Sequence, residues 1–279
     1  MREGADRHKF TRMVLSITGN DPAMLISYKV YGSGRPILLI PGFASLAGSW
    51  GFQYRLLKRY FKVITVEIKG ICETGQVKRD YDLSAVVDDL SEFLASSGVS
   101  KTALVGSSMG AMIALEFARK NPEKVSSLIA VSLPLSCSVA FSQIAEKVNS
   151  STVDDFSFKE FMPLFFSPDF VKHDRFRIFA EFFVPNGSPF SKEVLFSQLC
   201  VIREWLESKR WVNGCQCPSL FIYGSEDQLV SKDEALRQIA HTFHQYEFKV
   251  IEGAGHAVHI EKHQEFNNIV CDFLTNHKK

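Results

Sequence analysis

Residues 106–110 read Gly-Ser-Ser-Met-Gly, which sets Ser108 at the centre of a G-x-S-x-G. The apolar run TALVG precedes them and the helical pattern MIALEFARK follows. A serine on a sharp strand-to-helix turn has its hydroxyl lifted clear of the backbone, provided the neighbouring positions carry no bulk. Gly106 and Gly110 meet that requirement. A hydroxyl is a weak nucleophile at neutral pH and needs a base to take its proton. Of eight histidines, His256 is the candidate: it closes the run Glu252-Gly253-Ala254-Gly255-His256, in a loop between the last strand pattern and the last helix pattern. An imidazole acting as base must be held in one tautomer by an acceptor. Asp227, in Gly224-Ser225-Glu226-Asp227 after the strand pattern SLFIY, is the candidate acid, with Glu226 beside it as the alternative. These three side chains together would perform nucleophilic attack on a carbonyl carbon.

Such attack creates an oxyanion, which two backbone N–H groups commonly stabilise. Met109, the residue after the serine, offers one of them. The loop Pro41-Gly42-Phe43-Ala44 offers the other through the Phe43 N–H, and Gly42 lets that loop pass close to the serine. Read without the rest, the same loop is an ordinary Pro-Gly turn.

Short apolar runs that alternate with helical spacing must position these groups. Strands are expected at 13–17, 25–31, 36–40, 63–68, 103–105, 128–131, 219–223 and 247–251. Helices are expected at 50–60, 83–94, up to residue 120, 232–242 and 258–274. Continuous apolar runs such as PILLI and VITVEI suit strands buried on both faces. The alternation implies a mostly parallel eight-stranded sheet flanked by helices. It breaks after Pro134, where a helical, phenylalanine-rich stretch runs to Trp211. The expected organisation is a core of 1–133 and 212–279 with a helical cap inserted at 134–211.

The 279 residues are 46% hydrophobic and 23% charged, with a net charge of +1. That suits a globular protein with a full core and leaves no strong field to recruit nucleic acid or an anionic membrane. No stretch approaches the roughly 20 apolar residues of a membrane span, and the charged start MREGADRHKF lacks the apolar core of a signal peptide. Six scattered cysteines form neither a disulfide framework nor a zinc pattern. The expectation is a cytoplasmic protein with free thiols, no metal and no cofactor.

On the segments LLIPGF, GSSMGA, SLFIYGSEDQLV and IEGAGHAVHIE, in this order, the chain resembles the α/β-hydrolase superfamily, specifically its esterase and lactonase-like members with a helical cap. The order Ser108, Asp227, His256 is the one this superfamily uses. Pro41 stands where the family usually has histidine. The stretch 67–74, Glu-Ile-Lys-Gly-Ile-Cys-Glu-Thr, departs from the family's Asp-x-Arg-Gly-x-Gly-x-Ser: Cys72 replaces the second glycine, and Glu67 with Lys69 keeps the opposite charges. The resemblance implies a serine hydrolase that cleaves a carboxylic ester with an apolar acyl or aromatic moiety through an acyl-enzyme, on a small-molecule substrate, free or carrier-protein-bound. An acyl-carrier-protein methyl-ester esterase, a thioesterase, a lactonase or a carbon–carbon bond hydrolase would use the same residues. A reading of another class is a ligand-binding protein on the same fold. Some of the cap phenylalanines (156, 158, 161, 165, 166, 170, 176, 179, 182, 183) would line the pocket, and most would pack the cap.

Overall fold

A computed structural model describes residues 13–16, 25–67, 82–136, 138–150, 160–183, 190 and 192–277. Its sheet has eight strands: β1 (Met13–Ser16), β2 (Leu25–Tyr31), β3 (Pro36–Ile40), β4 (Lys62–Val66), β5 (Thr102–Ser107), β6 (Val125–Val131), β7 (Ser219–Gly224) and β8 (Tyr246–Ile251). Their spatial order is β1-β2-β4-β3-β5-β6-β7-β8. β2 runs antiparallel to both β1 and β4, and every other pairing is parallel. The fold is thus the mostly parallel α/β sheet that the sequence predicts.

The buried strands show why continuous apolar runs are needed. Successive side chains of β3 point to opposite faces, and both faces are covered. Leu38 and Ile40 pack with α2 (Leu83–Ser96) and α3 (Met109–Lys120). Ile37 and Leu39 pack with Leu57 of α1 (Gly51–Leu57) and with Phe266, Val270 and Phe273 of a C-terminal helix. Removing each such side chain from water stabilises the fold by about 1.5–3 kcal/mol. The edge strand β8 has only one half-covered face: half-buried residues alternate with exposed ones, and only Ile251 at its end is buried.

Between β6 and β7 the chain forms α4 (Val139–Ser150), α5 (Pro168–Lys172), α6 (Asp174–Phe183) and α7 (Lys192–Ser208). The helix after β7 is α8 (Lys232–Thr242). The single helix expected at 258–274 is two, α9 (Val258–Glu261) and α10 (His263–Asn276). Lys262 leaves the helical region, with φ −115° and ψ 43°, and breaks them apart. The first expected helix is also shorter: Trp50 closes a 3-10 turn over residues 47–50, and α1 ends at Leu57 rather than reaching residue 60. No helix among the described residues is long and apolar enough to cross a membrane. The departure at 68–74, including Lys69 and Cys72, lies outside the described residues.

Candidate active site

β5 ends at Ser107, and α3 starts at Met109. Ser108 between them has φ 54° and ψ −118°, a conformation that costs a non-glycine residue about 1–3 kcal/mol. The turn is held by Ser108 N–H donating to the Val131 carbonyl at 2.8 Å and by Ala111 N–H donating to the Ser108 carbonyl at 2.8 Å. Both flanking glycines are obligatory. A Cβ on Gly106 would lie 2.2 Å from the Gly110 carbonyl oxygen, and one on Gly110 would lie 2.3 Å from that of Ile40. The Ser108 hydroxyl does not cap α3, which leaves it available for other chemistry. The N-terminus of α3 contributes its partial positive charge beside it.

The loop after β3 runs alongside this turn. A Cβ on Gly42 would lie 2.9 Å from the Ser107 oxygen and 3.3 Å from Ser108 Cβ. Phe43 is buried, and Ala44 takes φ 49° with its N–H donating to Gln198 Oε1 of α7 at 2.9 Å. Glu67 accepts from Ala47 N–H at 3.0 Å and so braces the same loop. Burial pushes the Glu67 carboxyl above its usual range.

Asp227 follows β7, and its side chain is 1% exposed. Oδ1 accepts from the N–H groups of Leu229 and Val230 at 2.8 and 3.0 Å. Oδ2 lies 2.9 Å from His256 Nδ1. The carboxylate therefore orients the ring and assigns the proton to Nδ1. His256 Nε2 is buried and makes no hydrogen bond among the described residues. Ser108 and His256 line the same cavities. One of these, about 100 Å³, is walled by Phe43, Met162, Phe165, Phe166 and Phe190. Glu226, the alternative acid, is exposed.

The histidine loop is pinned from three sides by groups to which sequence reasoning assigned no role. Ser132 Oγ, at the end of β6, donates to the His256 carbonyl at 2.9 Å. Ala257 N–H donates to the Phe165 carbonyl at 2.8 Å. The Glu261 carboxylate accepts from Gly255 N–H at 3.0 Å, from Ser167 N–H at 3.1 Å and from the Ser167 hydroxyl. Glu261 stands in IEGAGHAVHIE, five residues after His256, and that short spacing was its only signal. In Glu261→Gln the amide nitrogen cannot accept, so a buried donor loses its partner. The expected cost is about 1–3 kcal/mol in urea denaturation.

Of the phenylalanines at 134–211, Phe165 and Phe166 line the cavity, joined by Phe190, which was absent from the expected set. Phe170 and Phe176 pack on Phe166, with ring centroids 5.2 and 5.4 Å away. Phe156 and Phe158 lie outside the described residues.

His259 is 5% exposed and packs against Trp50 with ring centroids 4.4 Å apart and planes tilted by 36°. Burial, with His256 nearby, pushes its pKa down to about 3. A group whose folded-state pKa lies below its unfolded value of about 6.5 binds fewer protons when folded, so stability rises with pH. The neutral ring stabilises fully above pH 6.5, and that contribution is lost as pH falls toward 3. From this group alone, stability at pH 5 is expected to be roughly 2 kcal/mol lower than at pH 7. Urea denaturation at both pH values checks it, and a folded His259→Leu variant should lose that part of the slope.

A strained serine turn, a loop packed close beside it and a buried Asp-His pair, arrayed at the carboxyl ends of parallel strands, define a class of fold and site. The profile described as "Alpha/beta hydrolase family" matches residues 37–269, and the chain belongs to that family. Among relatives, the protein named "Putative carbamate hydrolase RutD" of Klebsiella pneumoniae (strain 342) is 26% identical over 253 residues, covering 86% of this chain and 92% of its own. A thermophilic esterase from Thermogutta terrifontis superposes with a TM-score of 0.80 at 24% identity, covering 96% of this chain and 99% of its own. The enol-lactonase from Burkholderia xenovorans LB400 superposes with a TM-score of 0.79 at 18% identity, over 90% and 96%. Those two likenesses establish the fold.

Proposed function

We propose that the protein is a serine hydrolase that cleaves a carboxylic ester through an acyl-enzyme. Ser108 attacks the carbonyl carbon. His256 Nε2 takes the hydroxyl proton and returns it to the leaving alcohol, while Asp227 stabilises the imidazolium. The N–H groups of Phe43 and Met109 hold the oxyanion, each contributing about 3 kcal/mol in the transition state. Water activated by His256 then releases the acid. Residues 134–211 act as a cap that supplies the apolar wall through Met162, Phe165, Phe166 and Phe190.

The observation that carries this reading is the Asp227–His256 contact of 2.9 Å, which leaves Nε2 unpaired in a cavity that Ser108 also lines. The predominantly apolar lining supports a substrate with an apolar acyl or aromatic moiety. The names of the relatives (esterase, lactonase, carbamate hydrolase) all denote attack at a carbonyl carbon. A thioesterase or carbon–carbon bond hydrolase would draw on the same groups. A panel of aryl esters and thioesters, with fluorophosphonate labelling of Ser108, tests the reading. Turnover and labelling are expected. Wild type that neither turns over a substrate nor takes the label would instead be the binding protein on this fold.

A further inference from the structure

Two side chains in the cavity beside Ser108 have no part in the chemistry above. Ser49 and His259 are each 5% exposed, both line that cavity, and neither Ser49 Oγ nor His259 Nδ1 has a hydrogen-bond partner among the described residues. Buried polar atoms are normally paired, so two orphans in one wall mark a place where a partner arrives from outside the chain. Their positions are set firmly. Ser49 lies in the 3-10 turn Ala47–Trp50. The His259 ring packs against Trp50, and its carbonyl accepts from Gln53 Nε2 at 2.7 Å, with Gln53 Nε2 also donating to Asn267 Oδ1 at 3.1 Å.

We propose that Ser49 and His259 form a neutral polar subsite that reads an uncharged hydrogen-bonding group, a hydroxyl or ketone, on an otherwise apolar moiety of the substrate. This rests on Ser108 being the nucleophile. The charge state of the group follows from the walls. No Asp, Glu, Lys or Arg lines the cavity among the described residues, and the His259 ring stays neutral because burial pushes its pKa down to about 3. A carboxylate or ammonium brought here would be desolvated without a counter-charge. A neutral imidazole and a hydroxyl each offer one donor and at least one acceptor, which suits a hydroxyl best and a ketone next.

Boronic acids, which add to a nucleophilic serine whichever half of the substrate fills the cavity, are the probes. Inhibition constants would be measured for phenylboronic acids bearing a hydroxyl, methyl or carboxylate group at the ortho, meta or para position. In wild type, at one ring position, the hydroxyl compound should bind about tenfold tighter than its methyl isostere, the ratio that one net hydrogen bond supports. The carboxylate should bind more weakly than the methyl. The hydroxyl-to-methyl ratio should fall to about one in Ser49→Ala/His259→Leu. If His259 variants do not fold, Ser49→Ala alone, which removes a single oxygen, must lower the ratio by at least about threefold. Inhibition with no hydroxyl preference at any position, or a preference that the variants retain, overturns the subsite and leaves the hydrolase reading standing. No inhibition by any boronic acid together with no ester turnover overturns both.

Discussion

Ser108→Ala should lower kcat/KM for an aryl ester by about 10⁴–10⁶ while leaving a folded protein. The hydroxyl is the attacking group in the proposed reaction, and nothing adjacent replaces it. Ser107 is buried within β5 and pairs through its backbone with Val131, so it cannot swing to the apex of the turn. Alanine keeps the Cβ that Ser108 already carries at φ 54°, so it adds no new backbone strain. The loss is therefore chemical. Thermal unfolding should match wild type, and fluorophosphonate labelling should vanish with activity. The oxyanion donors and the substrate cavity remain, so a residual rate above that of water is expected. Retention of more than a tenth of wild-type activity would refute Ser108 as nucleophile.

Gly110→Ala should fail for the opposite reason. Its added methyl would sit 2.3 Å from the Ile40 oxygen and 2.5 Å from that of Pro41, both backbone atoms at the end of β3. No rotamer change relieves a clash with backbone, so α3 must move away from the sheet or β3 must bend. Either shift disturbs a close-packed layer, and overpacking of this kind costs about 3 kcal/mol or more. A protein of ordinary stability, about 5–15 kcal/mol, loses a large share of it. Low soluble yield and a lowered urea midpoint are the readouts. An unchanged midpoint would mean that the turn is looser than described. The two substitutions lie two residues apart, yet one should remove activity without stability and the other stability with activity.

The parts legible in the sequence are those written in local pattern. PILLI and VITVEI announce strands covered on both faces, and β3 and β4 take those places at the centre of the sheet. The G-x-S-x-G, placed between strand and helix, forecasts the turn at Ser108 to the residue, because only glycine fits at positions 106 and 110. Asp227 and His256 are far apart in sequence, but each sits just after a strand pattern, and parallel strands bring those ends together. Contacts between distant polar residues carry no such pattern. Glu261 with Ser167 and Gln198 with the Ala44 N–H depend on how the stretch between β6 and β7 lies against the sheet, and Ser132 with the His256 carbonyl depends on how two loops meet beyond the strand ends. Likewise, helical spacing over 258–274 gave no warning of the break at Lys262, since the apolar period continues through it.

β6, β7 and β8 lie side by side toward one edge of the sheet in their order along the chain. On the proposed triad, the nucleophile is seated among β3, β5 and β6 while the acid and the base have yet to be made. A growing chain thus carries an unactivated hydroxyl until residue 256 has been added and has folded back.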